Sequence, residues 1–221
     1  MDSRKRFAIP IAALLAIAAL TSLVDSSIYA HETHAWAAQG RAQDWVNLFL
    51  VVPALLVVAQ LASRGSDRAL YVLAGAYAYV AYSYVVYAMA VHFNALFLVY
   101  CALVGLPAFA LIELVPKLPA ATSDRSAARA LIAVAIVFAL LWLGQIVPAL
   151  VTGSTPGAIV DAGLATNPVY VLDLALVLPA MVIVGMRAYR GDARYASIVW
   201  AMLAFASFML AAIIGIIVDS T

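Results

Sequence analysis

Few side chains in this sequence could do chemistry, and several of them sit inside long apolar stretches. Asp173 is the clearest case, the lone ionisable group in the run Pro168–Met186. An ionised side chain facing lipid is costly, so such a residue faces a bundle interior or a wet cavity. There it could bind a polar solute or act as a protonation switch. Asn47 and Gln145 add neutral hydrogen-bonding groups near the same end of their spans, and Arg41 adds a cation that could hold an anionic group or pair with Asp44 or Asp173. Six of the eleven tyrosines crowd one segment: Tyr71, Tyr79 and Tyr82 share one helical stripe, and Tyr77, Tyr84 and Tyr87 the other. A hydroxyl near mid-membrane needs a partner, and Tyr82 and Tyr84 are expected to offer theirs to a solute. The histidines suggest a second chemistry. His31 and His34 would share a helix face, and with His92 and a carboxylate (Glu32, Asp44 or Asp173) they could hold a divalent metal ion.

Long apolar elements must position these groups. Of 221 residues, 67% are hydrophobic and 10% charged, against about 25% charged in soluble domains; mean hydropathy is +1.06. A bilayer core about 30 Å thick needs roughly 20 apolar residues per helix. The sequence predicts seven such helices, at about 7–24, 45–63, 69–91, 93–112, 130–151, 167–186 and 195–218, forming one all-α transmembrane domain. The first is expected to be a retained anchor, because its apolar run exceeds that of a signal peptide. Asp173 lies about 9 Å along the sixth helix from its start, in the outer half of the membrane. The segment with Gln39, Arg41, Gln43 and Asp44 is expected to be the first outer loop. Glu113 and Lys117, four residues apart, are expected to form an inner salt bridge.

Eleven of the twelve basic residues fall on one side of this pattern, and Arg41 alone falls on the other. The excess of cations marks the cytoplasmic side, so the N-terminus is expected in the cytoplasm and Thr221 outside, in a plasma (inner) membrane.

A shift of 126 residues lays 47–68 (NLFLVVPALLVVAQLASRGSDR) on 173–194 (DLALVLPAMVIVGMRAYRGDAR), with ten of 22 positions identical. Leucine and valine matches mean little in membrane helices. The informative ones are Pro53 with Pro179, each followed by alanine, and Arg64-Gly65-x-x-Arg68 with Arg190-Gly191-x-x-Arg194. Asn47 pairs with Asp173. The expected design is a 3+1+3 parallel repeat, with units 1–91 and 130–218 joined by a linker helix at 93–112 and a solute site near the pseudo-twofold axis. Pro53 and Pro179 are the expected hinges, since proline removes a backbone hydrogen bond and kinks a helix.

This arrangement resembles the small sugar facilitators and the PQ-loop transporters, in architecture alone. The Pro-Gln signature of the latter is missing, since every proline here precedes another residue type, and no functional residue is carried over.

The expected function is that of a small transporter or facilitator that holds a small polar solute between the two triplets. The alternatives are a metal-dependent membrane enzyme using the histidines, and a seven-helix sensor or complex subunit. The net charge of +1 gives no reason to expect a nucleic-acid partner. The lone Cys101 excludes an internal disulfide and a Cys-based zinc site. The last helix lacks the lysine of a retinal protein, and no Gly-x-Ser-x-Gly elbow is present.

Overall fold

The computed structural model describes residues 3–219. Met1, Asp2, Ser220 and Thr221 lie outside the described residues, as do the side chains of Ser3, Arg4, Lys5, Val218 and Asp219. The expected position of Thr221 falls among them. Among the described residues, seven helices are long and apolar enough to cross a membrane: α1 (Ser3–Val24), α2 (His34–Ser63), α3 (Asp67–Ala90), α4 (Phe97–Leu114), α5 (Arg125–Thr152), α6 (Pro168–Tyr189) and α7 (Ala193–Asp219). No strand occurs among the described residues.

Helix starts follow local capping chemistry, in which a side-chain oxygen accepts an otherwise unpaired N–H. Thr33 takes the N–H of Trp36, Ser66 that of Ala69, and Asn167 that of Val169 ahead of Pro168 at the first helical position. Asp124 caps α5. Hydrogen bonds from the Ser126 hydroxyl and from the N–H groups of Ser126 and Ala127 hold its carboxyl below the usual range. Gly65 and Gly191 turn the chain between α2 and α3 and between α6 and α7, with φ of 93° and 94° that suit glycine.

α2 differs most from expectation. It begins at His34, so Gln39, Arg41, Gln43 and Asp44 lie on a helix and not in a loop. Its 30 residues span about 45 Å. The polar first turns are stable because the bundle supplies partners: Asp44 is fully buried and accepts hydrogen bonds from Tyr29 and Tyr87. The inner ion pair also differs. Glu113 binds Arg6 at 2.7 Å; the α-helix ends at Leu114 and Lys117 falls in a 3-10 turn, Val115–Lys117, so the regular i,i+4 helical spacing is not kept.

In each triplet the first helix packs on the second and the second on the third: α1 on α2 on α3, and α5 on α6 on α7. The triplets meet where α3 crosses α7, and α4 packs against α1 and α3. α3 is the most buried of the seven. Gly75 permits the crossing: a Cβ there would come within 2.6 Å of the Ala201 carbonyl oxygen and 2.7 Å of the Phe205 nitrogen.

Both α2 and α6 contain one widened π turn, Asn47–Val51 and Asp173–Val177. In each, the N–H five residues on closes the turn, from Val52 to the Asn47 carbonyl and from Leu178 to the Asp173 carbonyl. Proline follows directly, at 53 and 179. Its ring crowds the carbonyl four residues back and it has no N–H to give; that carbonyl, at 49 or 175, lies within the widened turn. Ordinary helix then runs over Val52–Ser63 and Leu178–Tyr189. Every one of these features recurs at a spacing of 126 residues. So do two ring contacts across the α3–α7 crossing, Tyr79 with Phe208 at 5.8 Å and Phe205 with Tyr82 at 5.7 Å.

Candidate functional site

A cavity of about 800 Å³ lies between the triplets. Its wall takes residues from α2, α3, α5, α6 and α7, and it reaches Asp173. Asp173 opens the π turn of α6, and its carboxylate is mostly buried. Tyr82 of α3 donates its hydroxyl to Oδ1 at 2.9 Å, and Trp142 of α5 donates its indole N–H to Oδ2 at 2.7 Å. Three helices therefore converge on this carboxylate, and both donors are neutral. The ring of Trp142 lies 5.2 Å from that of Tyr170, whose hydroxyl donates to Gln145 Oε1 at 2.7 Å. Trp142 and Gln145, three apart on α5, both line the cavity.

Asn47 is fully buried and sits behind the cavity wall. Its Oδ1 accepts from the Tyr79 hydroxyl at 2.9 Å. That hydroxyl in turn accepts from Gln43 Nε2 at 2.9 Å, and Gln43 also reaches Ser83 at 3.2 Å. Gln43 and Ser83 line the cavity, so Asn47 is joined to it through one tyrosine. Asn47 Nδ2 makes no hydrogen bond.

The other expected residues are distributed differently. Tyr84 is buried in a ring cluster, 5.0 Å from Tyr87 and 5.7 Å from Tyr100, and is not part of the cavity wall. Arg41 is half-buried on α2 and likewise absent from the wall; Asp44 and Asp173, its expected partners, are held by tyrosines and tryptophan. Asp44 accepts from Tyr29 at 2.6 Å and from Tyr87 at 3.1 Å. His31 and His92 approach to 6.2 Å between ring centres, and His92 Nδ1 lies 3.0 Å from Glu32. His34 begins α2. Among the described residues no three His, Cys, Asp or Glu side chains gather closely enough to hold a metal ion. Pro53 and Pro179 each sit two residues past the end of a π turn.

Sequence reasoning missed Trp142 as the second donor to Asp173. Phe138, Trp142 and Gln145 recur at four and three residues, the spacing of one helix face, and that spacing would have placed the indole beside Gln145. It also missed the role of Gln43, because residues 34–44 read as a loop.

Comparison with known proteins finds no matching family model, no matching curated protein and no matching solved structure.

Proposed function

We propose that this protein is a membrane carrier that binds a small solute in the cavity between its two helix triplets, with Asp173 as the central ligand. The observation that carries this reading is the buried carboxylate in the wall of an 800 Å³ cavity, a volume within the range of about 300–1,000 Å³ usual for ligand sites. Gln145, Gln43 and Tyr82 supply further polar contacts around it. Asn47 and Tyr79 brace the wall from behind.

The two triplets are, in this proposal, parallel repeats related by a pseudo-twofold axis through the α3–α7 crossing. The matched π turns, the matched glycine turns and the exchanged ring pairs Tyr79–Phe208 and Phe205–Tyr82 support it. So does the position of Gly75 against Ala201, residues that differ by 126 and meet each other. Repeat-built transporters place their solute at such an interface. The triplets would rock about this crossing, with the proline-bearing turns as compliant points. The basic ends of the helices would face the cytoplasm of a plasma (inner) membrane, by the charge asymmetry of the sequence.

Uptake into vesicles tests the reading. Protein reconstituted in lipid should accelerate entry of at least one member of a panel of labelled sugars, amino acids, amines and carboxylates. Asp173→Asn should cut that rate at least about tenfold, as the loss of a charged ligand does. A panel that moves no faster than through protein-free vesicles contradicts the proposal, as does an Asp173→Asn variant that equals wild type.

A further inference from the structure

We propose that the solute is a monovalent organic cation, with an ammonium head placed on Asp173 and an apolar or ring-bearing body lodged among Phe138, Trp142 and Phe205. This rests on the reading of the cavity as a solute site and adds the chemical class.

The carboxylate comes first. Each oxygen of Asp173 accepts one hydrogen bond, from the Tyr82 hydroxyl and the Trp142 N–H. An ionised carboxylate offers about four lone-pair sites, so each oxygen keeps room for another donor. Neither partner carries positive charge, and Asp173 forms no ion pair among the described residues. Buried charges are as a rule paired, and a cationic head on the solute would supply the partner that Asp173 lacks.

The surrounding wall has the same sign. Its lining includes a second acid, Asp161, exposed on the short helix Gly157–Ala162, and no lysine, arginine or histidine. A cavity lined by one sign of charge with low-dielectric walls concentrates counter-ions and rejects anions. Arg41, the basic residue expected at this end of the spans, lies outside the lining.

The remaining surface selects among cations. Phe138, Trp142, Tyr170 and Phe205 present rings to the cavity, and aromatic faces attract organic ammonium groups. A bare metal ion is disfavoured, because it needs several acceptor atoms, whereas Tyr82 and Trp142 direct hydrogens at the carboxylate and no cluster of ligands gathers around it. Gln145 keeps its amide N–H₂ for a carbonyl or hydroxyl on the solute, since its oxygen is taken by Tyr170.

Three probes with one skeleton and different heads test the class: 4-phenylbutylammonium, 4-phenylbutan-1-ol and 4-phenylbutanoate. Binding to the purified full-length protein is measured by calorimetry at neutral pH. The ammonium should bind at least tenfold more tightly than the alcohol, and the carboxylate most weakly. Asp173→Asn should remove at least tenfold of the ammonium affinity and weaken the alcohol by a smaller factor. Alcohol or carboxylate binding as tight as the ammonium overturns the cation class while leaving the cavity a solute site. No binding by any of the three overturns both. The head-group order in the wild-type protein decides the proposal even where Asp173→Asn fails to fold.

Discussion

The widened turns that begin at Asn47 and at Asp173 have one backbone and two different surroundings. Around Asn47 the turn is sealed: the side chain is fully buried, and Tyr79 and Gln43 close over it. Around Asp173 the turn opens on a cavity. The crossing helices do not match in their hydroxyls. α3 carries tyrosine at 79 and 82, where α7, 126 residues on, carries phenylalanine at 205 and 208. Both turns therefore take their hydroxyl from α3, Asn47 from Tyr79 and Asp173 from Tyr82. A few side-chain differences on a matched backbone separate a sealed turn from one that opens on a cavity.

The strongest way to break the comparison is to force the crossing apart. Gly75→Leu would drive a side chain into the Ala201 carbonyl and the Phe205 nitrogen, which are backbone atoms and cannot swing away. Overpacking of this kind costs about 3 kcal/mol or more at such a site. The expected result is loss of the folded peak in size-exclusion chromatography, for both turns together.

The two tyrosines sharpen the comparison at smaller cost. Tyr79→Phe leaves Asn47 Oδ1 and Gln43 without their shared partner in the sealed region, at about 1–3 kcal/mol. Tyr82→Phe leaves Asp173 its Trp142 bond and its open side, at about 0.5–1.5 kcal/mol. Thermal unfolding should therefore drop further for Tyr79→Phe, whereas solute uptake should fall further for Tyr82→Phe. The reverse order in either assay would mean that the sealed and open turns have been assigned the wrong way round.

The mildest pair is at the prolines. Alanine at 53 or 179 restores an N–H and removes the ring clash, so each turn should relax toward ordinary helix. Unfolding midpoints should change little for either variant. Uptake should stay near wild type for Pro53→Ala and slow several-fold for Pro179→Ala, where the turn carries Asp173, the proposed ligand.

Much of the frame was legible in the sequence, because apolar length and proline spacing are local signals. The seven spans follow from hydropathy, and the start at Asn167-Pro168 follows from capping chemistry. The matched Pro53 and Pro179 marked the positions of the two π turns without disclosing their widened geometry. The first third of α2 was hidden, since Gln39, Gln43 and Asp44 look like a loop until Tyr29, Tyr79 and Tyr87 are placed around them. Asp173 was evident from its isolation. Its partners were not, because Tyr82 and Trp142 lie 91 and 31 residues away and meet it only through packing. The same holds for Tyr84, whose stripe neighbour Tyr87 draws it into the ring cluster with Tyr100 and away from the cavity.

The central claim is that one turn is open and its counterpart is sealed, and thiol accessibility tests it most directly. Cys101 is exposed and is the sole cysteine, so Cys101→Ala supplies a blank background. Into it go Asp173→Cys and Asn47→Cys, one at a time, in lipid vesicles treated with a water-soluble methanethiosulfonate. Thiol modification depends on access. The account predicts that the cysteine at 173 reacts at least about tenfold faster than the one at 47. Equal rates, or faster reaction at 47, would contradict it.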